Sequence, residues 1–125
     1  MLIVVDTSAL IALAMGEPRA PEIALSLAQA SDAVMSAGTL HEPLIVAELR
    51  GIRAPIERLL SVVRVVPLTE RDAIAAATAY SEWGKGVHPA GLNMGDCFAY
   101  ALARTLGAPL LYVGDDFAKT DIVAA

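Results

Sequence analysis

The 125-residue chain contains a single cysteine, Cys97. No disulfide can form within it, and no cysteine-rich metal cluster can be built. No apolar run reaches the ~18 residues that span a bilayer, because Asp, Glu, Arg, Pro or Gly interrupts every candidate. The apolar stretch from Ala9 to Met15 is too short, and Asp6 precedes it where a secretory signal would carry basic residues. Positive charge is scarce: the formal net charge is -5, which excludes coating of nucleic acid through a broad basic surface. Linkers, repeats and low-complexity segments are missing as well. These absences lead to the expectation of a cytoplasmic protein in a reducing compartment, with no membrane contact and one domain over residues 1-125.

What is present is apolar: 56% of residues are hydrophobic and 18% charged, the composition of a core-rich fold. Leu2 to Val5 is a continuous apolar, β-branched run ended by Asp6-Thr7-Ser8, and reads as a buried strand, a turn and a helix over Ala9 to Met15. Gly16-Glu17-Pro18 breaks that helix, and Ala20 to Ala30 resumes one. Ala33 to Ala37 reads as a second strand. Thr39 with Glu42 three residues on reads as the capping box of a third helix that ends near Gly51. A fourth helix runs from Pro55 to Leu60, and Val62 to Val66 has the composition of a strand. Thr69 caps an Ala-rich helix through Trp83, Asn93 caps another from Met94 to Leu106, Leu110 to Val113 is a buried strand, and Ile122-Val123 adds an edge. Uniformly apolar strands alternating with helices indicate an α/β fold, a mostly parallel central sheet with helices on both faces.

Ligands of such sheets bind beyond the carboxyl ends of the strands, and two strands here end in acids, Asp6 and the Asp115-Asp116 pair. Asp6 serves equally well as an ordinary helix N-cap, and Gly-Asp-Asp as an ordinary turn. Glu42 shares helical spacing with Ile45, Val46 and Leu49, and Asp96 with Ala99, Tyr100 and Ala103, so both are expected on inward-facing sides of their helices. A capping box for Glu42 and a favourable helix dipole for Asp96 are the alternatives to a ligand role. Four acids from separate elements, with neither a cysteine set nor a histidine pair, form a donor set for hard cations, Mg²⁺ with Mn²⁺ as substitute. The chemistry that such a set supports is metal-dependent phosphodiester hydrolysis.

Three blocks carry a resemblance to a known family: Val4 to Leu10, Gly91 to Ala103, and Leu110 to Phe117 with Thr120-Asp121-Ile122. With the segment around Glu42 they cover almost the whole chain, which resembles the PIN-domain ribonucleases of the VapC type, toxin halves of bacterial type II toxin-antitoxin pairs. The resemblance implies a PIN-like fold and a Mg²⁺-dependent endoribonuclease that leaves a 5′-phosphate and a 3′-hydroxyl. It makes Asp6 and Asp96 the principal metal ligands, completed by Glu42 and Asp116, with Ser8 orienting an acid or a water. It also implies an RNA substrate, a cognate VapB-type antitoxin with an arginine reaching into the carboxylates, and a homodimer. Pro43 departs from the family pattern, being suited only to a first helical turn.

Arg50, Arg53, Lys85 and Lys119 are candidates for phosphate contacts, and His41 for a substrate contact at an exposed helix start. Cys97 reads as a small buried residue, and Trp83 and Tyr80 as core or interface. An aspartyl-nucleophile phosphatase would need a second Asp where Ser8 stands. A catalytically silent PIN-like binding module is the remaining alternative.

Overall fold

The computed structural model describes residues 1–125 throughout. Strands β1 (Leu2–Val5), β2 (Asp32–Ser36), β3 (Arg64–Val66) and β4 (Leu110–Leu111) form one sheet in the order β3-β2-β1-β4, and every pairing is parallel. Along β1 the side chains alternate between faces. Val4 joins Val34 and Leu110 under the helices α5 (Glu70–Trp83) and α6 (Met94–Leu106), where small residues such as Ala76, Ala79, Ala99 and Ala103 let the two helices pack closely. Ile3 and Val5 join Met35 and Leu111 on the opposite face, beneath α1 (Thr7–Met15), α2 (Ala20–Gln29) and α4 (Arg53–Leu60), with Leu10, Ile23 and Ile56 at the centre. The sheet is thus covered on both sides, as its unbroken apolar strands require.

Helix α3 (Ala37–Arg50) lies against both layers, touching α6 as well as α1 and α4. Its start differs from the reading of the sequence. The Ser36 side chain caps it by accepting from the Gly38 amide at 3.1 Å, so Thr39 is already in the first turn and the Thr39–Glu42 capping box does not form. Thr39 is instead buried at 2% exposure, its Oγ1 unpartnered. Pro43 consequently falls in the helix interior, beyond the first turn. Lacking an amide hydrogen, it leaves the Thr39 carbonyl without its helical donor, and the Thr7 hydroxyl of α1 reaches that carbonyl at 3.5 Å. The inward face of α3 is Thr39, Pro43 and Ala47, while Glu42, Ile45 and Leu49 face outward, Leu49 at 81% exposure. The spacing that pairs Glu42 with apolar residues therefore marks a face on which Ile45 and Leu49 are left uncovered.

The other differences are smaller. Strand β3 is shorter than its β-branched run and largely exposed, because Val62 and Val63 continue the turn that leaves α4. Strand β4 stops at Leu111, and the expected edge at Ile122-Val123 reduces to one bridge between Leu110 and Ala124. Trp83 packs as expected, its indole Nε1 donating to the Tyr100 hydroxyl at 3.0 Å, which in turn donates to Asp121 and ties down the C-terminal segment. Tyr80, expected beside it in the core or an interface, is exposed, and its hydroxyl donates to the Lys85 carbonyl at 3.3 Å.

The α3–α6 crossing is set by Gly38, where a methyl group would stand 2.8 Å from the Phe98 ring. Overpacking of this kind costs about 1–3 kcal/mol. Gly38→Ala is therefore expected to lose that much stability in urea unfolding, and an unchanged midpoint would contradict the packing described.

Candidate functional site

At the carboxyl ends of the parallel strands an open cavity of about 540 Å³ brings together residues far apart in sequence. The four predicted acids all line it: Asp6 directly after β1, Glu42 on α3, Asp96 in the first turn of α6, and Asp116 at the head of the 3-10 turn Phe117–Lys119. Asp6 and Asp96 are each placed by a local rule. Asp6 is the N-cap of α1: its Oδ2 accepts from the Ser8 amide at 3.0 Å and the Ser8 hydroxyl at 2.7 Å. The same hydroxyl accepts from the Val113 amide at 3.0 Å, so Ser8 locks Asp6 to the chain leaving β4. Asp96 sits in a capping box: its Oδ2 accepts from the Asn93 amide at 3.0 Å and the Asn93 Oδ1 accepts from the Asp96 amide at 2.8 Å. The cap and ligand roles of Asp6 and Asp96 are thus compatible, because each leaves carboxylate facing the cavity.

The electrostatics follow from this placement. Asp6 is 4% exposed, and burial raises its pKa above the ordinary 3.8, opposed by the Ser8 hydrogen bonds and reinforced by the charge of Glu42. The Asp96 carboxyl is pushed up to about 6, first by burial and then by the charges of Asp6, Glu42 and Asp116, against the pull of the Asn93 amide. The charge of Asp116 bears on Asp96, and both Asp115 and Asp116 line the cavity. None of the four acids forms an ion pair with a basic side chain.

The donors are oxygens alone, with no cysteine or histidine in the lining, which suits a hard cation. No three of these side chains are drawn tightly enough to share one ion. Magnesium does not demand that: it keeps several waters and is held through one or two carboxylates. The donor set therefore fits Mg²⁺ or Mn²⁺, with Asp6 and Asp96 as the fixed pair and the exposed Glu42 and Asp116 as the adjustable ones.

Arg50 is the one basic residue in the lining. Arg53 is engaged with Glu48 at 3.0 Å and Glu57 at 3.4 Å, and Lys85 lies on a separate apolar groove between α5 and α6. Cys97 is buried, and desolvation pushes its thiol up to about 11, the opposite of a nucleophile's environment. Glu17 also lines the cavity, which the sequence did not announce. The left-handed Gly16, at φ 63°, ends α1 and turns the chain so that the Glu17 amide donates back to the Ala12 carbonyl. The only cue was the helix-breaking Gly16 beside it.

The raised Asp96 pKa has a stability consequence. The folded chain keeps a proton that the unfolded chain releases near 3.8, so between about pH 4 and pH 6 the folded state binds more protons and loses stability as pH rises. Asp96→Asn retains the capping acceptor and removes the charge. In metal-free protein its melting temperature is expected to exceed that of the unsubstituted chain at pH 7.5 and to match it near pH 4; a variant equally or less stable at pH 7.5 would refute the desolvation argument.

The chain matches the PIN domain family over residues 3–123. It is 46% identical to a VapC ribonuclease of Mycobacterium bovis, over 95% of this chain and 90% of that one. It is 41% identical to a ribonuclease VapC of Mycolicibacterium smegmatis, over 97% and 98%. Among solved structures it is similar to a sarcin-ricin-loop-cleaving VapC toxin of Mycobacterium tuberculosis, with a TM-score of 0.78, 24% identity and 98% of both chains covered. A toxin-antitoxin complex from Klebsiella pneumoniae aligns with a TM-score of 0.76 and 22% identity over 98% of this chain and 96% of that one.

Proposed function

The chain belongs to the PIN-domain family, among its VapC ribonucleases, and from that premise we propose that it is a Mg²⁺-dependent endoribonuclease toxin of a type II toxin-antitoxin pair. The observation that carries the proposal is the convergence of Asp6, Glu42, Asp96 and Asp116 on one cavity. When bound, the divalent cation would supply Lewis-acid charge for in-line attack of water at phosphorus, with the P–O3′ bond breaking to leave a 5′-phosphate and a protonated 3′-hydroxyl. The chain's own residues prepare that event. Ser8 fixes the orientation of Asp6, the Asn93 amide fixes that of Asp96, and the charge of Glu42 and Asp116 raises the cation affinity of the pair. Arg50 on the cavity wall offers the RNA backbone a cation where the lining is otherwise acidic.

A VapB-type antitoxin is the proposed protein partner. Its apolar side chains would cover the exposed Ile45 and Leu49 of α3, and an arginine would enter the carboxylates. The complexes among the structural relatives, such as the one from Klebsiella pneumoniae and VapBC2 from Rickettsia felis, support this pairing. A homodimer is proposed on the same ground of uncovered apolar surface. No helix is long and apolar enough to cross a membrane.

The decisive test is cleavage of total cellular RNA by the purified, antitoxin-free chain with Mg²⁺ or Mn²⁺. Cleavage is expected to stop with a chelator and to fall by about 10²-fold or more in Asp96→Asn, the scale expected when transition-state charge stabilisation is lost. A folded Asp96→Asn protein with undiminished activity would sink the assignment, and a folded wild-type chain inactive on every RNA would favour the silent binding module. Arg50→Gln is expected to raise KM about three- to tenfold with little change in kcat, as for loss of one phosphate contact; an unchanged KM would remove Arg50 from the substrate path.

A further inference from the structure

The crossing of α3 and α6 is a reciprocal joint. Gly38 and Glu42 stand four residues apart on α3, and Gly95 and Phe98 three apart on α6, so each pair shares one face of its helix. The Phe98 ring fills the space over Gly38, and the Glu42 carboxylate lies over Gly95: a methyl group on Gly95 would stand 3.2 Å from Glu42 Oε2. Its other neighbour, Asn93 Oδ1 at 3.4 Å, is an ordinary contact, so the capping box would survive. Gly95 does not have positive φ. Its backbone is helical and gains nothing from being glycine, and Ala is the better helix former. What glycine supplies at this position is room for a carboxylate next to Asp96.

We propose that Gly95 is a positioning residue of the acidic cluster, its missing side chain allowing the Glu42 carboxylate to lie over the first turn of α6 beside Asp96. The inference rests on the reading of Glu42 as a member of the metal-binding set. The displacement that a methyl group would force is a few tenths of an ångström at the tip of an exposed side chain. That is nearly free sterically, but the carboxylate must give up the place it holds over the first turn of α6. The helix should therefore become more stable while the site becomes worse.

The test is a double-mutant cycle of Gly95→Ala and Glu42→Gln, read as Mn²⁺ affinity by calorimetry on the RNA-free protein and as melting temperature without metal. Gly95→Ala is expected to weaken Mn²⁺ binding by about tenfold, the scale seen when groups that orient ligands are altered, with an unchanged or higher melting temperature. In the Glu42→Gln background the same substitution should have no further effect. Unchanged affinity in Gly95→Ala overturns the proposal, as does an equal loss in both backgrounds or a lowered melting temperature, which would mean disturbed helix packing. If Glu42→Gln alone binds Mn²⁺ normally, it is the ligand role of Glu42 that fails, an outcome separate from failure of Gly95.

Discussion

The burial of carboxylates at the carboxyl end of a parallel sheet, reinforced by their mutual repulsion, is the constraint around which this fold is arranged. Asp6 is buried and Asp96 partly so, and neither has a basic partner. The chain offsets the cost with dipoles: both acids sit at helix N-termini, where the unpaired amides carry partial positive charge. Ser8 and the Asn93 amide add direct hydrogen bonds. The offset is incomplete, since both carboxyls remain above their ordinary pKa. That residue of unfavourable charge is what a divalent cation would relieve, and stability is what the apo chain gives up to keep it.

The helical layers serve this arrangement. Ala-rich faces on α5 and α6 bring α6 close to the sheet, so that its first turn reaches the cavity. Pro43 opens the helical ladder of α3, and Thr7, the neighbour of Asp6, turns its hydroxyl toward the freed carbonyl. Gly38 lets Phe98 settle against α3, which fixes how near Glu42 comes to Asp96. Small residues and one proline thus set the distances among acids contributed by four separate elements.

Much of this was legible in the sequence, and the boundary has physical causes. The apolar run before Asp6 and the Asn93 cap are local signals, and strand, helix and acid fell where local chemistry put them. The start of α3 was misjudged because Ser36 and Thr39 are both competent caps, and only packing of Thr39 into the interior decided between them. Glu42 was expected on a buried face since Ile45 and Leu49 share its spacing. Periodicity identifies a face without saying whether another element covers it, and here Ile45 and Leu49 stay exposed while Glu42 reaches the cavity beside α6. Glu17 escaped notice because a left-handed glycine, not any periodic pattern, brings it to the cavity.

The central claim is that the cavity between α1, α3 and α6 is a divalent-cation site built on Asp6 and Asp96. Anomalous diffraction from crystals of the chain grown with Mn²⁺ tests it most directly. The account predicts a manganese peak within ligand distance, about 2.0–2.4 Å, of carboxylate oxygens from both residues, and its loss in Asp96→Asn. A peak elsewhere on the surface, or none in well-ordered crystals at saturating Mn²⁺, would contradict it.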